Sequence, residues 1–322
     1  MRIAVPSVLS PRAFADHDPR APVIRLDGET MGTVWRIALA APATLDETAL
    51  RTAIAARLAS LVSEMSHWDA QSHLCRFNRA PAGSWFSLPS DFAAVITAAL
   101  DVAELSGGAF DPALGALVDL WGFGPPGPRA RPSDDAVAAA RARSGRSRLA
   151  FDQAARRLRQ PGGLQLDLSG IAKGYAVDAV AALLRKHGAN HALVEVGGEL
   201  AGMGMRPDGD PWWVDLENPP ALGLPLFRVA LHECAVATSG NYVRGDHNID
   251  PATGRPAANG VVSVSVIADT AMLADAWASA LAVLGPDQGM AAAETHRLAA
   301  RIVSIGPKGT RETISPALAA ML

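Results

Sequence analysis

Only two cysteines occur in the sequence, Cys75 and Cys234, and they form neither a CxxC pair nor a zinc-ligand spacing. A disulfide scaffold and a cysteine-built metal site are thereby excluded, and two isolated thiols remain. A surplus of one charge is also lacking. Against 29 Lys and Arg stand 32 Asp and Glu, a formal net charge of -3, so no overall basic field calls for nucleic acid or an anionic membrane. No apolar run approaches the roughly 20 residues that cross a bilayer. Several enzyme signatures are missing as well. The chain has no GxxxxGK[ST] phosphate loop, and Gly202-Met203-Gly204 lacks the third glycine and following helix of a dinucleotide fingerprint. His232-Glu233 has no second histidine at zincin spacing, and Thr238-Ser239-Gly240 is not a GxSxG elbow.

What is present is apolar residue in quantity. At 49% of 322 residues it suffices for one elaborate domain or two closely packed halves. Residues 1–27, rich in Pro, Asp and Arg, read as an extended leader, and the fold proper is expected from Gly28 to Leu322. Arg2, the apolar run Ile3 to Leu9 and Ala13-Phe14-Ala15 imitate a secretion signal, but Pro6 and Arg12 make it a poor one. The expected location is cytoplasmic, with periplasmic as the alternative.

Helical periodicity runs from Leu45 to Met65, with Leu50, Ile54, Leu58, Leu61 and Met65 on one stripe behind a Thr44 or Asp46 cap. Further helices are expected at 89–106, 133–144 and 170–187, and around 270–279. Strand patterns occur at 33–39, 164–168, 192–196, 212–217, 225–231, 234–238 and 261–268. Hairpin-length connections outnumber helical crossovers in the second half, which predicts an α+β fold with mostly antiparallel sheets.

The most informative stretch is Asp167 to Tyr175, where a strand-like segment ending in a carboxylate passes into a glycine-bracketed helix start carrying Lys173. Unpaired N–H groups, the positive end of the helix dipole and one lysine suit a phosphate or pyrophosphate. About a hundred residues later, Asp275 and Ser279 lie at i, i+4 on an Ala-rich helix. One carboxylate and one hydroxyl fit a magnesium ion that keeps phosphate oxygens and water in its other positions. Asp275 is equally read as a solvated helix residue. Gly108 to Pro112 followed by Leu120 to Gly124 joins exposed backbone to flat side chains, which fits a ring-bearing ligand or simple packing. Glu195 to Glu199 reads as a tight turn or a site loop, and His247 as a structural or a catalytic histidine.

Taken in order, a longer set of motifs is more specific than its parts. It comprises Met31-Gly32-Thr33, Met65 to Asp69, Arg76-Phe77-Asn78, Gly108 to Pro112, Leu120 to Gly124, Asp167 to Asp178, Val196 to Glu199, Thr238 to Tyr242, Ile249 to Gly254 and Thr270 to Asp275. This set resembles the ApbE-type FAD:protein FMN transferases from about residue 28 to 285. The resemblance implies a T-fold-like α+β architecture, and magnesium-dependent transfer of the FMN part of FAD to a Thr or Ser hydroxyl of an acceptor flavoprotein, with AMP released. It implies FAD contacts at Met31, Trp68, Ala109, Phe110, Asp111, Asp167, Lys173 and Ile249. Magnesium would fall to Asp275, Ser279 and the carbonyl of Gly170, and His247 would lie near the reacting phosphate, so that Asp275 and His247 are the expected catalytic residues. Trp68 stands where a tyrosine is common, the stretch from Tyr242 to His247 is short, Asn248 replaces an aliphatic residue, and the lipoprotein cysteine of many relatives is absent. That route of membrane anchoring is therefore not expected. Two other readings use the same residues: a magnesium-dependent FAD pyrophosphatase giving FMN and AMP, and a flavin-binding protein without turnover.

Overall fold

The computed structural model describes every residue except Ser7, Leu9 and Ala221, and of Val243 and Arg244 the backbone alone, so two positions of the Ile3 to Leu9 run lie outside the described residues. Eight strands form the main sheet: β1 (Val23–Thr30), β2 (Thr33–Ala40), β3 (Ala192–Val196), β4 (Glu199–Met203), β5 (Cys234–Gly240), β6 (Val261–Ala268), β7 (Ala299–Gly306) and β8 (Gly309–Ile314). They lie side by side in chain order as an open sheet. Every neighbouring pair is antiparallel. The expected α+β class is the observed one.

Alternation along the strands gives the sheet two apolar faces. Trp35, Ile37, Leu39, Val194, Val196, Val264 and Val266 belong to the larger core. Their neighbours Ala38, Leu193 and Ile267 belong to a second core on the opposite face. Four long helices cover the first face: α1 (Glu47–Met65), α2 (Ser90–Leu105), α3 (Ala172–Lys186) and α4 (Ala271–Thr295). The α1 stripe is buried as its spacing predicts, and Asp46 caps it by accepting from Ala49 N–H at 2.9 Å. Helix α4 is broken at Gly285, whose φ of 83° lies ahead of Pro286.

A three-stranded sheet covers the second face, with Phe227–Leu231 between antiparallel Trp212–Leu216 and parallel Arg2–Ala4. The extended leader of the sequence reading thus carries paired strands. Arg2–Ala4 is one, and the expected start at Gly28 falls inside β1. The Arg2 guanidinium bonds Glu312 and lies 4.8 Å from the Phe227 ring centre, contacts between residues too distant in sequence for local patterning to reveal.

Residues 164–168, expected as a strand, form no ladder. Their backbone is held by side-chain amides instead: Gln160 bonds Leu164 N–H and C=O, and Asn78 bonds Leu166 N–H and C=O. The apolar alternation is real, since Leu164, Leu166 and Leu168 are buried. What differs is the partner that satisfies the backbone.

Helices α3 and α4 meet closely at Gly174, where a Cβ would lie 2.2 Å from the Ala271 carbonyl oxygen. Each helix start is capped by a carboxylate of the other. Asp178 of α3 accepts from Ala271 and Met272 N–H at 2.8 and 2.9 Å, and Asp275 of α4 accepts from Gly174 N–H at 3.1 Å. Burial pushes the Asp178 carboxyl up to about 6 despite those two donors, so desolvation outweighs hydrogen bonding there. Among the described residues no helix is long and apolar enough to cross a membrane.

Candidate functional site

The reciprocal caps bring the charged residues of the two informative stretches together. A cavity of about 340 Å³ opens over the α3 start and is lined by Ala109, Phe110, Asp111, Asp167, Gly170, Lys173, His247, Ile249, Asp275 and Ser279. Ten expected site residues therefore converge from four separate segments. Helix α3 starts at Ala172, not Gly170, and one of its first N–H groups is given to Asp275. The anion at that helix start is thus, in part, the protein's own carboxylate.

Asp275 is not a solvated helix residue: it is 5% exposed. Its Oδ2 takes the Gly174 bond, and burial raises its pKa while the Lys173 charge lowers it. Gly170 sits beside Ser279, where a Cβ would come 2.9 Å from Ser279 Oγ and 3.4 Å from the Phe110 ring. The lack of a side chain at residue 170 keeps this corner open.

Glu199 completes the floor. It follows the Gly197-Gly198 turn between β3 and β4, in which φ is 64° and 103°, and it is 3% exposed. The Lys173 ammonium donates to Glu199 Oε1, while Glu199 Oε2 is buried and has no hydrogen-bond partner among the described residues. Burial and the neighbouring Asp275 push the Glu199 carboxyl up to about 7, against the pull of Lys173. Two buried carboxylates therefore share one ammonium. An excess of negative charge out of water is costly unless a further cation joins it.

That donor set fits a hard divalent ion. Among the described residues no three His, Cys, Asp or Glu side chains cluster as a metal cage, so Asp275, Ser279 Oγ and the Gly170 carbonyl would hold the ion with only one charged ligand. Magnesium tolerates this because it keeps waters and substrate phosphates in its remaining positions.

The other expected residues have distinct surroundings. Asp111 is committed to structure, accepting from Ala113 and Arg146 N–H at 2.8 Å each, and burial raises its pKa. Asp167 accepts from Ser169 N–H at 2.8 Å and lies 3.5 Å from His67 Nδ1. Met31 (φ 51°) and Gly32 (φ 69°) make the left-handed two-residue turn that joins β1 to β2. Met31 packs on the main core, and Thr33 reaches the cavity wall. His247 Nδ1 lies 2.9 Å from the Gly245 carbonyl, which can only accept, so in the neutral ring the proton sits on Nδ1 and the basic lone pair on Nε2. Asn248 donates to Ser239 Oγ at 3.1 Å.

Trp68 lies outside this cavity, on a second one of about 410 Å³ with His67, Asp119, Pro125 and Pro126. The two cavities share Val118 and Asp167 in their walls and so lie next to each other. Trp68 is 63% exposed. Thr33, Glu217, Tyr242 and Asn248 also line the cavity without having been assigned a site role from the sequence, and Glu199, open there between a tight turn and a site loop, is a cavity residue.

Comparison with known proteins fits this geometry. The ApbE family model matches residues 31–302. A protein of Klebsiella pneumoniae (strain 342) named FAD:protein FMN transferase is 34% identical over 317 residues, covering 94% of this chain and 91% of that protein. Its namesake from Vibrio cholerae serotype O1 is 35% identical over 313 residues, covering 94% and 93%. The solved structure of the flavin transferase ApbE from Vibrio cholerae superposes with a TM-score of 0.88 at 35% identity, covering 94% of this chain and 100% of that one. The apo flavinyl transferase ApbE of Pseudomonas stutzeri gives 0.87 at 36% identity, covering 94% and 97%. Family match, relatives and superposition agree over nearly the whole chain: this protein belongs to the ApbE family and is a transferase.

Proposed function

We propose that this enzyme transfers the FMN part of FAD to a threonine or serine hydroxyl of an acceptor flavoprotein, releases AMP and depends on magnesium. The observation that carries the reading is the buried floor of Lys173, Glu199 and Asp275 beside Gly170 and Ser279, in a chain whose relatives are named FAD:protein FMN transferase. Magnesium held by Asp275, Ser279 and the Gly170 carbonyl would supply positive charge to the pyrophosphate oxygens.

Lys173 contributes the protein's own charge to the same phosphates, and Glu199 fixes where its ammonium sits. A dinucleotide bound at the floor would run past Val118 and Asp167, the wall common to both cavities, toward Trp68. His247 takes the proton of the acceptor hydroxyl at Nε2, the nitrogen left basic by the Gly245 contact. The hydroxyl oxygen forms one bond to the FMN phosphorus as the bond from that phosphorus to the AMP oxygen breaks. Adduct and AMP therefore appear in equal amounts.

The test is an incubation of the purified protein with FAD, magnesium and flavoproteins encoded near it, read by mass spectrometry. An FMN-sized adduct that vanishes when one hydroxyl is removed is the expected result. Free FMN and AMP with every acceptor would make the enzyme a pyrophosphatase, and unchanged FAD would leave it a binding protein.

A further inference from the structure

The main sheet has a notch at the site. Strand β5 runs from Cys234 to Gly240, but β4 pairs with it only at Cys234, Ala235 and Val236. The register sets Glu199, the first residue of β4, opposite Ala237, and among the described residues no strand continues that line past Glu199, so the edge of β5 from Thr238 to Gly240 has no strand partner on that side. Its other edge is fully paired with β6. The far wall of the notch is different, since Gly197 N–H donates to the Val34 carbonyl at 3.0 Å and closes off β2.

Open strand edges are ready templates for another chain, and proteins normally cover them. Here the edge faces into the main cavity, which Thr238, Ser239 and Gly240 line together with Lys173 and Asp275. Space is available as well. At Gly198, the last turn residue before β4, a Cβ would meet no heavy atom within 4 Å. One added strand needs about 4.8 Å of width, the spacing that β4 itself would have occupied.

We propose that the acceptor protein docks by strand addition, an extended segment of it pairing with Thr238–Gly240 in the line of β4; this rests on the flavin-transfer reading above. Main-chain bonds give such a segment its affinity, and alternate side chains give it orientation. Ala235 belongs to the helix-side core and Val236 to the opposite core, so by alternation Ser239 is on the helix side. A residue paired opposite Ser239 shares that face. Its hydroxyl then points at the layer that carries Asp275 and Ser279, while its neighbours point away. The recognised substrate is therefore an extended, hydroxyl-bearing peptide segment with unblocked backbone amides on one edge.

The test uses a library of short threonine-centred peptides with the full-length enzyme, FAD and magnesium, read by mass spectrometry for the FMN adduct. A labelled peptide is resynthesised with a single N-methyl group at each backbone amide in turn, and release of AMP to water is followed as the control for FAD turnover. The expected result is a loss of about tenfold or more in labelling at every second amide, with the intervening ones tolerated and the control unchanged. Tolerance at all positions, or loss confined to the bonds on either side of the threonine, would overturn strand addition. So would labelling of a folded acceptor with no peptide labelled at all. Free FMN and AMP as the only products, from peptides and folded flavoproteins alike, would instead bring down the flavin-transfer reading and this proposal with it.

Discussion

The two cavities are built from different materials. The floor of the main cavity stands on α3, α4 and β4, with Glu199 and Asp275 almost wholly out of solvent and each helix start capped by the other helix. The second cavity is walled by loops, with Trp68 exposed and Pro125 and Pro126 beside it. On the proposed reading, the charges that would meet the phosphates sit where packing fixes them, and the ring that would lie against the flavin sits on an exposed loop. Substitutions in the floor should therefore alter the rate, and those in the second cavity should alter binding.

The largest effect is expected at Asp275. Asp275→Asn keeps an oxygen for Gly174 N–H but removes the charge, and magnesium-dependent AMP release should fall by about 10²–10³ with the melting temperature little changed. Parent-like release at saturating magnesium would remove Asp275 from the chemistry.

Lys173→Ala breaks a buried pair and strands Glu199, which should cost about 3–5 kcal/mol of stability in urea denaturation. Because Glu199 titrates near 7, the loss should be smaller at pH 6 than at pH 8. Adding Glu199→Gln should recover most of the stability and none of the rate. If the double variant is no more stable than Lys173→Ala, the two side chains are not coupled as described.

A smaller effect separates structure from chemistry. The Asp178 carboxyl is raised from 3.8 to about 6, so the native state holds a proton that the unfolded chain has lost between those values. This group's contribution to stability is fully present below the lower value and declines as pH rises through the window. The stability of the parent relative to Asp178→Asn should therefore fall by about 1–3 kcal/mol between pH 4 and pH 7. A flat difference across that range would contradict the burial argument.

Trp68→Ala should have the least effect on the rate. Loss of a stacking face is worth about 1 kcal/mol, so FAD affinity should drop roughly fivefold and FAD quenching of tryptophan emission should diminish. Turnover at saturating FAD should stay as it was.

The same division decides what could be read from the sequence. Helix α1, the strands at 192–196, 212–216, 227–231, 234–240 and 261–268 and the lysine and aspartate on α3 and α4 follow from periodicity and local chemistry, whereas β4 (Glu199–Met203) does not, and the ordered motifs point to the family. Long-range partnerships were not legible. Asn78 and Gln160 replace a ladder along 164–168, Arg2–Ala4 pairs with a strand more than two hundred positions away, and Asp178 and Asp275 cap each other's helices. None of these leaves a periodic trace, because each is an isolated polar contact or a three-residue ladder and not a repeating apolar face. Glu199 shows the limit best: an acid after two glycines looks like a turn until burial and Lys173 are known.

One paired measurement bears most directly on the contrast between floor and second cavity. FAD affinity by tryptophan quenching and AMP release at saturating FAD and magnesium would be recorded for Asp275→Asn and Trp68→Ala beside the parent. The expected result is a crossed pattern, in which Asp275→Asn binds FAD and fails to turn it over while Trp68→Ala binds it weakly and turns it over at the parental rate. Both substitutions lowering the same quantity, whichever it is, would contradict the division of labour between the two cavities.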